Sequence, residues 1–201
     1  MALDKTPFVK TTSFALALAI AAVTGPAVAA PPPPSTPGAS VGSKTGLPLP
    51  RYASLKTDRV NLREGPSKDH RTLWVFQRAG LPVEIIGEFE TWRRIRDSEG
   101  TEGWVLHSLL SGRRTSIVTA SRAAGKGDGK GDAKPDTVLY ARADDTSAEE
   151  ARLQAGVIGS VKTCTGTWCR IIVALPQKGG DVDGYIRQER LWGVYPGERV
   201  D

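Results

Sequence analysis

The chain has 201 residues, 22 of them glycine and 14 proline, with a formal net charge of +5 and 24% charged residues. Glycine and proline together exceed the roughly 12% of average usage, and half of the prolines fall within residues 31–50. Linkers therefore take up much of the chain and exclude a large enzyme core, while the ordinary charged fraction excludes wholesale disorder and a membrane bundle.

In chain order, Lys5 and Lys10 precede the apolar run Phe14 to Val23, which is followed by Gly25-Pro26 and Ala27-Val28-Ala29. This is the grammar of a secretory signal over residues 1–29, cleaved after Ala29 or Ala30. The run falls short of the roughly 20 residues that a membrane span needs, so no membrane insertion is expected after cleavage. An uncleaved anchor is the alternative, since Pro31 to Pro34 would hinder the peptidase. No lipid-bearing Cys or twin-Arg is near, and the expected product is periplasmic or secreted. Its basic balance suits envelope polyanions or simply aids solubility. No stretch interleaves dense Lys/Arg with aromatics, so nucleic acid is not an expected partner.

Residues 30–50 (beginning Ala30-Pro31) are expected to be an extended, Pro-rich tether, and residues 120–135 (ASRAAGKGDGKGDAKP) a flexible Gly/Lys/Asp linker. The GKGDGKGD run matches neither a phosphate loop nor a stack of calcium-binding repeats. Two foldable units remain, 51–119 and 136–199.

These units repeat each other. Gly80 precedes Trp92 by the interval that separates Gly156 from Trp168. Trp92-Arg93-Arg94-Ile95 matches Trp168-Cys169-Arg170-Ile171, Gly103-Trp104-Val105 matches Gly184-Tyr185-Ile186, and Leu110-Ser111-Gly112 matches Leu191-Trp192-Gly193. The second copy is longer between its second and third landmarks, as a loop insertion in a repeated fold predicts. Both are written in short alternating strands, with one helical turn allowed over Ala148 to Leu153. Some five strands in about 60 residues cannot bury two faces of an open sheet, so the expected class is all-β, two small barrels joined by the flexible linker.

The first unit resembles the bacterial SH3-like domains, on Val60-Asn61-Leu62-Arg63-Glu64-Gly65-Pro66-Ser67, Gly80, Trp92 to Ile95, Gly103-Trp104-Val105 and Leu109-Leu110. The second is a divergent copy, with Ala141-Arg142-Ala143-Asp144-Asp145 in place of the Leu-Arg-x-Gly-Pro-Ser signature. The resemblance implies a pair of SH3-like β-barrels and a module that attaches exported proteins to peptidoglycan or mediates contacts between proteins. In the family's eukaryotic relatives an aromatic groove includes the Trp92 position. Its other aromatic positions fall near Leu62, Leu106 and Leu109, which argues against proline-rich recognition here.

Cys164 and Cys169 flank Thr165-Gly166-Thr167-Trp168, the expected tip of a hairpin, and export favours a disulfide between them. Zinc would have to recruit His70 and His107 from the other unit, so neither a metal nor a cofactor is expected. Those two histidines stand in no catalytic frame, and Asp144-Asp145 and Glu149-Glu150 read as solvated runs. The chain is therefore expected not to be an enzyme. Trp92, Arg94 and Arg96 share one strand face by the two-residue period, and Arg suits the carboxylate of a wall peptide. Trp104 and Trp168 are further ligand-binding candidates. The alternative for Trp92 and Trp104 is core packing, with the arginines on a solvated face. A peptidoglycan ligand and an envelope protein partner, as scaffold or regulatory subunit, are the two partner classes.

Overall fold

Strand formation starts earlier than the Pro-rich composition suggests. The computed structural model describes residues 40–120, 137–175 and 179–201. Within them β1 (Ser40–Val41) and β2 (Pro48–Leu49) form an antiparallel hairpin. The expectation of a tether through residue 50 is thus corrected for residues 40–50. The cause lies at a distance in the chain: the backbone amides of Lys44 and Thr45 both donate to Glu88, at 2.9 and 3.0 Å, and Leu49 is buried in the first core. The signal and the residues up to 39 lie outside the described residues.

The first barrel is built from β3 (Arg51–Leu55), β4 (Val60–Arg63), β5 (Thr72–Phe76), β6 (Pro82–Phe89), β7 (Trp92–Arg96), β8 (Glu102–Leu106) and β9 (Leu110–Ser111). Their order is β5-β4-β8-β7-β6-β3-β9. The second follows with β10 (Thr115–Val118), β11 (Thr137–Tyr140), β12 (Glu149–Leu153), β13 (Ile158–Thr165), β14 (Trp168–Leu175), β15 (Gly180–Arg187) and β16 (Leu191–Trp192), in the order β12-β11-β15-β14-β13-β10-β16. Strand β17 (Arg199–Val200) adds to β13. Each strand of the first sheet has its counterpart seven strands later, so the expected all-β duplication is present.

The repeat extends to single hydrogen bonds. Gly80 N donates to Leu55 O as Gly156 N donates to Val118 O, both at 2.8 Å. Gly103 and Gly184 are the close-approach positions. A Cβ on Gly103 would lie 2.8 Å from Arg63 O, and one on Gly184 2.8 Å from Tyr140 O, so both strands must stay bare where β4 and β11 cross.

Two boundaries differ from the sequence reading. Thr115–Val118, placed there in the first unit, pairs with β13 and β16 and opens the second sheet. Ser116 and Val118 are almost wholly covered, and Val118 packs in the second core. The Gly/Lys/Asp stretch therefore connects β10 to β11 of one sheet, where the first barrel has only Lys56 to Arg59; its residues 121–136, and with them the expected flexible linker, lie outside the described residues. Glu149–Leu153 is a strand rather than a helical turn, because β11 supplies hydrogen-bonding partners along its length.

Inward residues of alternate positions fill two cores, Val60, Leu62, Val83, Ile85, Ile95 and Val105 in the first, Leu139, Val161, Ile171, Val173 and Ile186 in the second. The barrels also touch. Thr115 Oγ1 donates to Gly80 O at 2.7 Å, Ser54 Oγ to Arg113 O at 2.9 Å, and Arg78 to Gly156 O at 3.0 Å. The Tyr52 ring lies between Trp192, 5.1 Å away edge-on, and Tyr195, 4.6 Å away.

Candidate functional site

Strand β7 carries the predicted ligand face, and its pairing with β8 sets the neighbours. Trp92 stands opposite Leu106, Arg94 opposite Trp104, and Arg96 opposite Glu102. All six point away from the core side held by Ile95 and Val105, as the two-residue period requires.

Their surroundings then divide them. Trp92 is 7% exposed, and the packed cluster of the first core does not include it. It floors a groove of about 270 Å³ lined by Arg59, Asn61, Arg63, Lys68, Leu106 and Leu109. Arg94 is instead held by Glu102 at 2.7 Å. Arg96 chelates Glu84 Oε2 through Nε and Nη2, at 2.9 and 2.7 Å. Those carboxylates lie opposite the arginines or beside them in the ladder, so the structure gives both predicted cations protein partners and leaves only Trp92 of the three in the groove. Trp104 is half-buried on the outer face, outside the core cluster.

The groove's cations come from residues that the sequence reading passed over. Arg63 alternates with buried Leu62 on β4 and donates to Lys68 O at 2.9 Å and His70 O at 2.7 Å. Those bonds pin the Gly65-Pro66-Ser67 turn and present Lys68 at the groove's edge. His70 packs against Gly65, where an added Cβ would lie 2.3 Å from its ring. The alternation Val60-Asn61-Leu62-Arg63 already implied that Asn61 and Arg63 share an outward face. That this face meets Trp92 depends on β4 pairing with β8 across the sheet, which local sequence does not encode. Leu106 and Leu109 line the groove, whereas Leu62 belongs to the core.

In the second barrel Trp168 occupies the Trp92 position and is 8% exposed. The Arg187 guanidinium lies 4.3 Å from its ring centroid, and Tyr140 packs edge-on to it at 5.8 Å. Arg187 also pairs with Asp145 through Nε and Nη2.

Cys164 and Cys169 are disulfide-bonded, with 2.01 Å between the sulfurs. They are directly opposed on β13 and β14 and both buried in the second core. Among the described residues no group of three or more His, Cys, Asp or Glu side chains is placed to hold a metal. None of the described helices is long and apolar enough to cross a membrane.

Two ionisable clusters have structural roles. Burial opposes ionisation of Glu88, but the Thr45 hydroxyl, Arg51 and the amides of Lys44 and Thr45 outweigh it and bring the carboxyl down to about 2. At the barrel junction, burial and then the Glu84 and Glu198 charges push the Tyr52 phenol up to about 12. Burial and the hydrogen bond to Glu84 raise Tyr195 as well.

No curated protein sequence matches the chain. Among solved structures it is similar to NlpC2 from Trichomonas vaginalis, 14% identical over 72% of this chain and 48% of that one, with a TM-score of 0.30. NlpC1 from the same organism is 14% identical over 75% and 48%, with a TM-score of 0.30. An NlpC/P60 family protein from Bacillus cereus is 10% identical over 70% and 55%, with a TM-score of 0.28. The chain thus spans about half the length of these proteins. The sequence model described as a bacterial SH3 domain matches twice, over residues 56–112 and 133–193. With more than half of the chain matched and the same strand order in both sheets, the protein belongs to the bacterial SH3 domain family.

Proposed function

We propose that this protein is an exported, non-catalytic binding module that attaches to peptidoglycan or a cell-wall peptide through the Trp92 groove of its first barrel. One observation carries the reading: Trp92 is ringed by Arg59, Arg63 and Lys68, with no carboxylate among the described residues that line the groove. A buried indole offers stacking area, and cations without opposing acids favour a carboxylate-bearing ligand. Family membership supports the binding class, since bacterial SH3 domains are often wall-binding modules. The disulfide and the signal-like N-terminus support export.

Retention of the chain on purified peptidoglycan tests this. Wild type is expected to be retained, and Trp92→Ala and Arg63→Ala to elute, with both variants folded by circular dichroism. Equal retention of all three would overturn the groove as the attachment site.

A second reading, attachment to an envelope protein, is favoured by the edge strand β5. Leu73 and Trp74 there are 41% and 59% exposed. An open strand edge with apolar side chains is suited to pairing with another chain. Loss of partner binding in Trp74→Ser with wall retention intact would assign that role to β5.

A further inference from the structure

The corresponding faces of the two barrels differ in charge. Register aligns Leu106 with Arg187, since each stands opposite the groove tryptophan of its barrel. It also aligns Arg63 with Tyr140, opposite Trp104 and Tyr185 respectively. The β4–β5 and β11–β12 loops have equal length between their paired ends, so Lys68 corresponds to Asp145. Where the first barrel has a cation at the loop and a leucine opposite its tryptophan, the second has an acid at the loop and an arginine opposite its tryptophan.

A tryptophan face and a carboxylate around one point make a site for an organic cation: the ring face attracts positive charge, and the carboxylate fixes its direction. The cation at that point is the chain's own. Arg187 lies 4.3 Å from the Trp168 centroid, with Tyr140 edge-on to the indole, and it is bound by Asp145. The first barrel has no such arrangement, because its counterpart of Arg187 is a leucine.

We propose that the second barrel holds a cation-binding site built from Trp168 and Asp145, with Tyr140 packed edge-on against the indole, occupied in the free protein by Arg187 and taking primary ammonium or guanidinium side chains when Arg187 swings out. The plug is displaceable. The side chains of Arg187 and Asp145 are 42% and 51% exposed, so the pair that holds it is screened by solvent. Displacing such a contact is expected to weaken ligand binding roughly tenfold relative to an open site. The inference rests on the reading that the tryptophan-floored face is the ligand face, and it gives that face a second, oppositely charged specificity.

The test titrates the full chain with Nα-acetyl-lysine amide, using its Nε-acetylated form as the neutral control, and follows the indole N–H resonance of Trp168, assigned with Trp168→Phe. Arg187→Ala is expected to bind the cationic probe about tenfold more tightly than wild type, with no response to the neutral probe. Adding Asp145→Asn is expected to remove the gain. Arg187→Gln serves as a second open variant should the alanine variant fail to fold. No gain in a folded open variant, or an equal gain for the neutral probe, would overturn the proposal. Peptidoglycan retention through Trp92 is read in a separate assay, so each reading can fail without the other.

Discussion

Tyr195 of the second barrel donates its phenolic hydrogen to Glu84 of the first at 2.9 Å, and Glu84 is 7% exposed. Glu84 alternates with Val83 and Ile85, so it turns away from its own core; it is buried because the other barrel covers it. It stands in a cross-strand row running Tyr52, Glu84, Arg96, Glu102. Tyr195→Phe leaves Glu84 Oε1 covered without that donor, which is expected to lower unfolding stability by about 1–3 kcal/mol. Urea melts measure the loss. A double-mutant cycle with Glu84→Gln is expected to show non-additivity above about 0.5 kcal/mol, and strict additivity would deny the bond a role in joining the barrels.

Alkali should loosen the same junction. The folded-state phenol of Tyr52 is raised from 10.0 to about 12, by burial and then by Glu84 and Glu198. A group raised on folding contributes its stability fully below the unfolded value and loses it as the pH climbs through the folded one. Stability is therefore expected to decline between about pH 10 and 12, with a shallower decline in Tyr52→Phe, as followed by chemical denaturation across that range.

Acid acts on the N-terminal hairpin instead. Glu88 falls from 4.5 to about 2 on folding, since Thr45, Arg51 and the hairpin amides overcome its burial. A depressed carboxyl contributes stability that is complete above its unfolded value and is lost as the pH drops toward the folded one, on the order of 3 kcal/mol here. Between about pH 4.5 and 2 the Lys44 and Thr45 amides are expected to lose hydrogen-exchange protection. Glu88→Gln should show low protection of those amides at every pH, and a pH-independent wild type would contradict the mechanism.

The duplication was legible because its landmarks are physical necessities repeated in order. Gly80 and Gly156 adopt positive φ, of 76° and 89°, and Gly103 and Gly184 make room for a crossing strand. The tryptophans at 92 and 168 and the opposed cysteines were legible for the same reason, as local spacing decides them. What sequence did not disclose was decided by pairing at a distance. Thr115–Val118 has the same alternation whichever sheet it joins, and only its bonds to β13 and β16 assign it. Arg94 and Arg96 looked like ligand groups because their face was evident and their acids were not. Lys44 and Thr45 sit in a Pro- and Gly-rich stretch whose order comes from one carboxylate 43 residues or more away.

The crossing glycines offer a direct test of the repeat. A Cβ on Gly103 would lie 2.6 Å from Leu62 Cγ and 2.8 Å from Arg63 O; on Gly184 the distances are 2.7 Å to Leu139 Cγ and 2.8 Å to Tyr140 O. Backbone cannot yield as a flexible side-chain end would, so Gly103→Ala and Gly184→Ala are each expected to destabilise by about 1–3 kcal/mol. Gly112→Ala, with nothing within 4 Å of the added methyl, is expected to stay within about 0.5 kcal/mol of wild type. Thermal melts of the three variants measure this, and a harmless Gly184→Ala beside a damaging Gly103→Ala would mean that the two barrels do not share the crossing.

Reduction should act on one barrel alone. Cys164 and Cys169 are five residues apart and both face the second core, so breaking the bond frees a short loop, worth about 2 kcal/mol in chain entropy. The expected outcome is lower stability under dithiothreitol, with hydrogen exchange accelerating across β13 and β14 first. The β6 and β7 amides are expected to respond only through the junction, since no cysteine lies in the first core. If β6 and β7 lost protection in step with β13 and β14, the barrels would unfold as one cooperative unit, and the Tyr195–Glu84 contact would be the first place to look for the coupling.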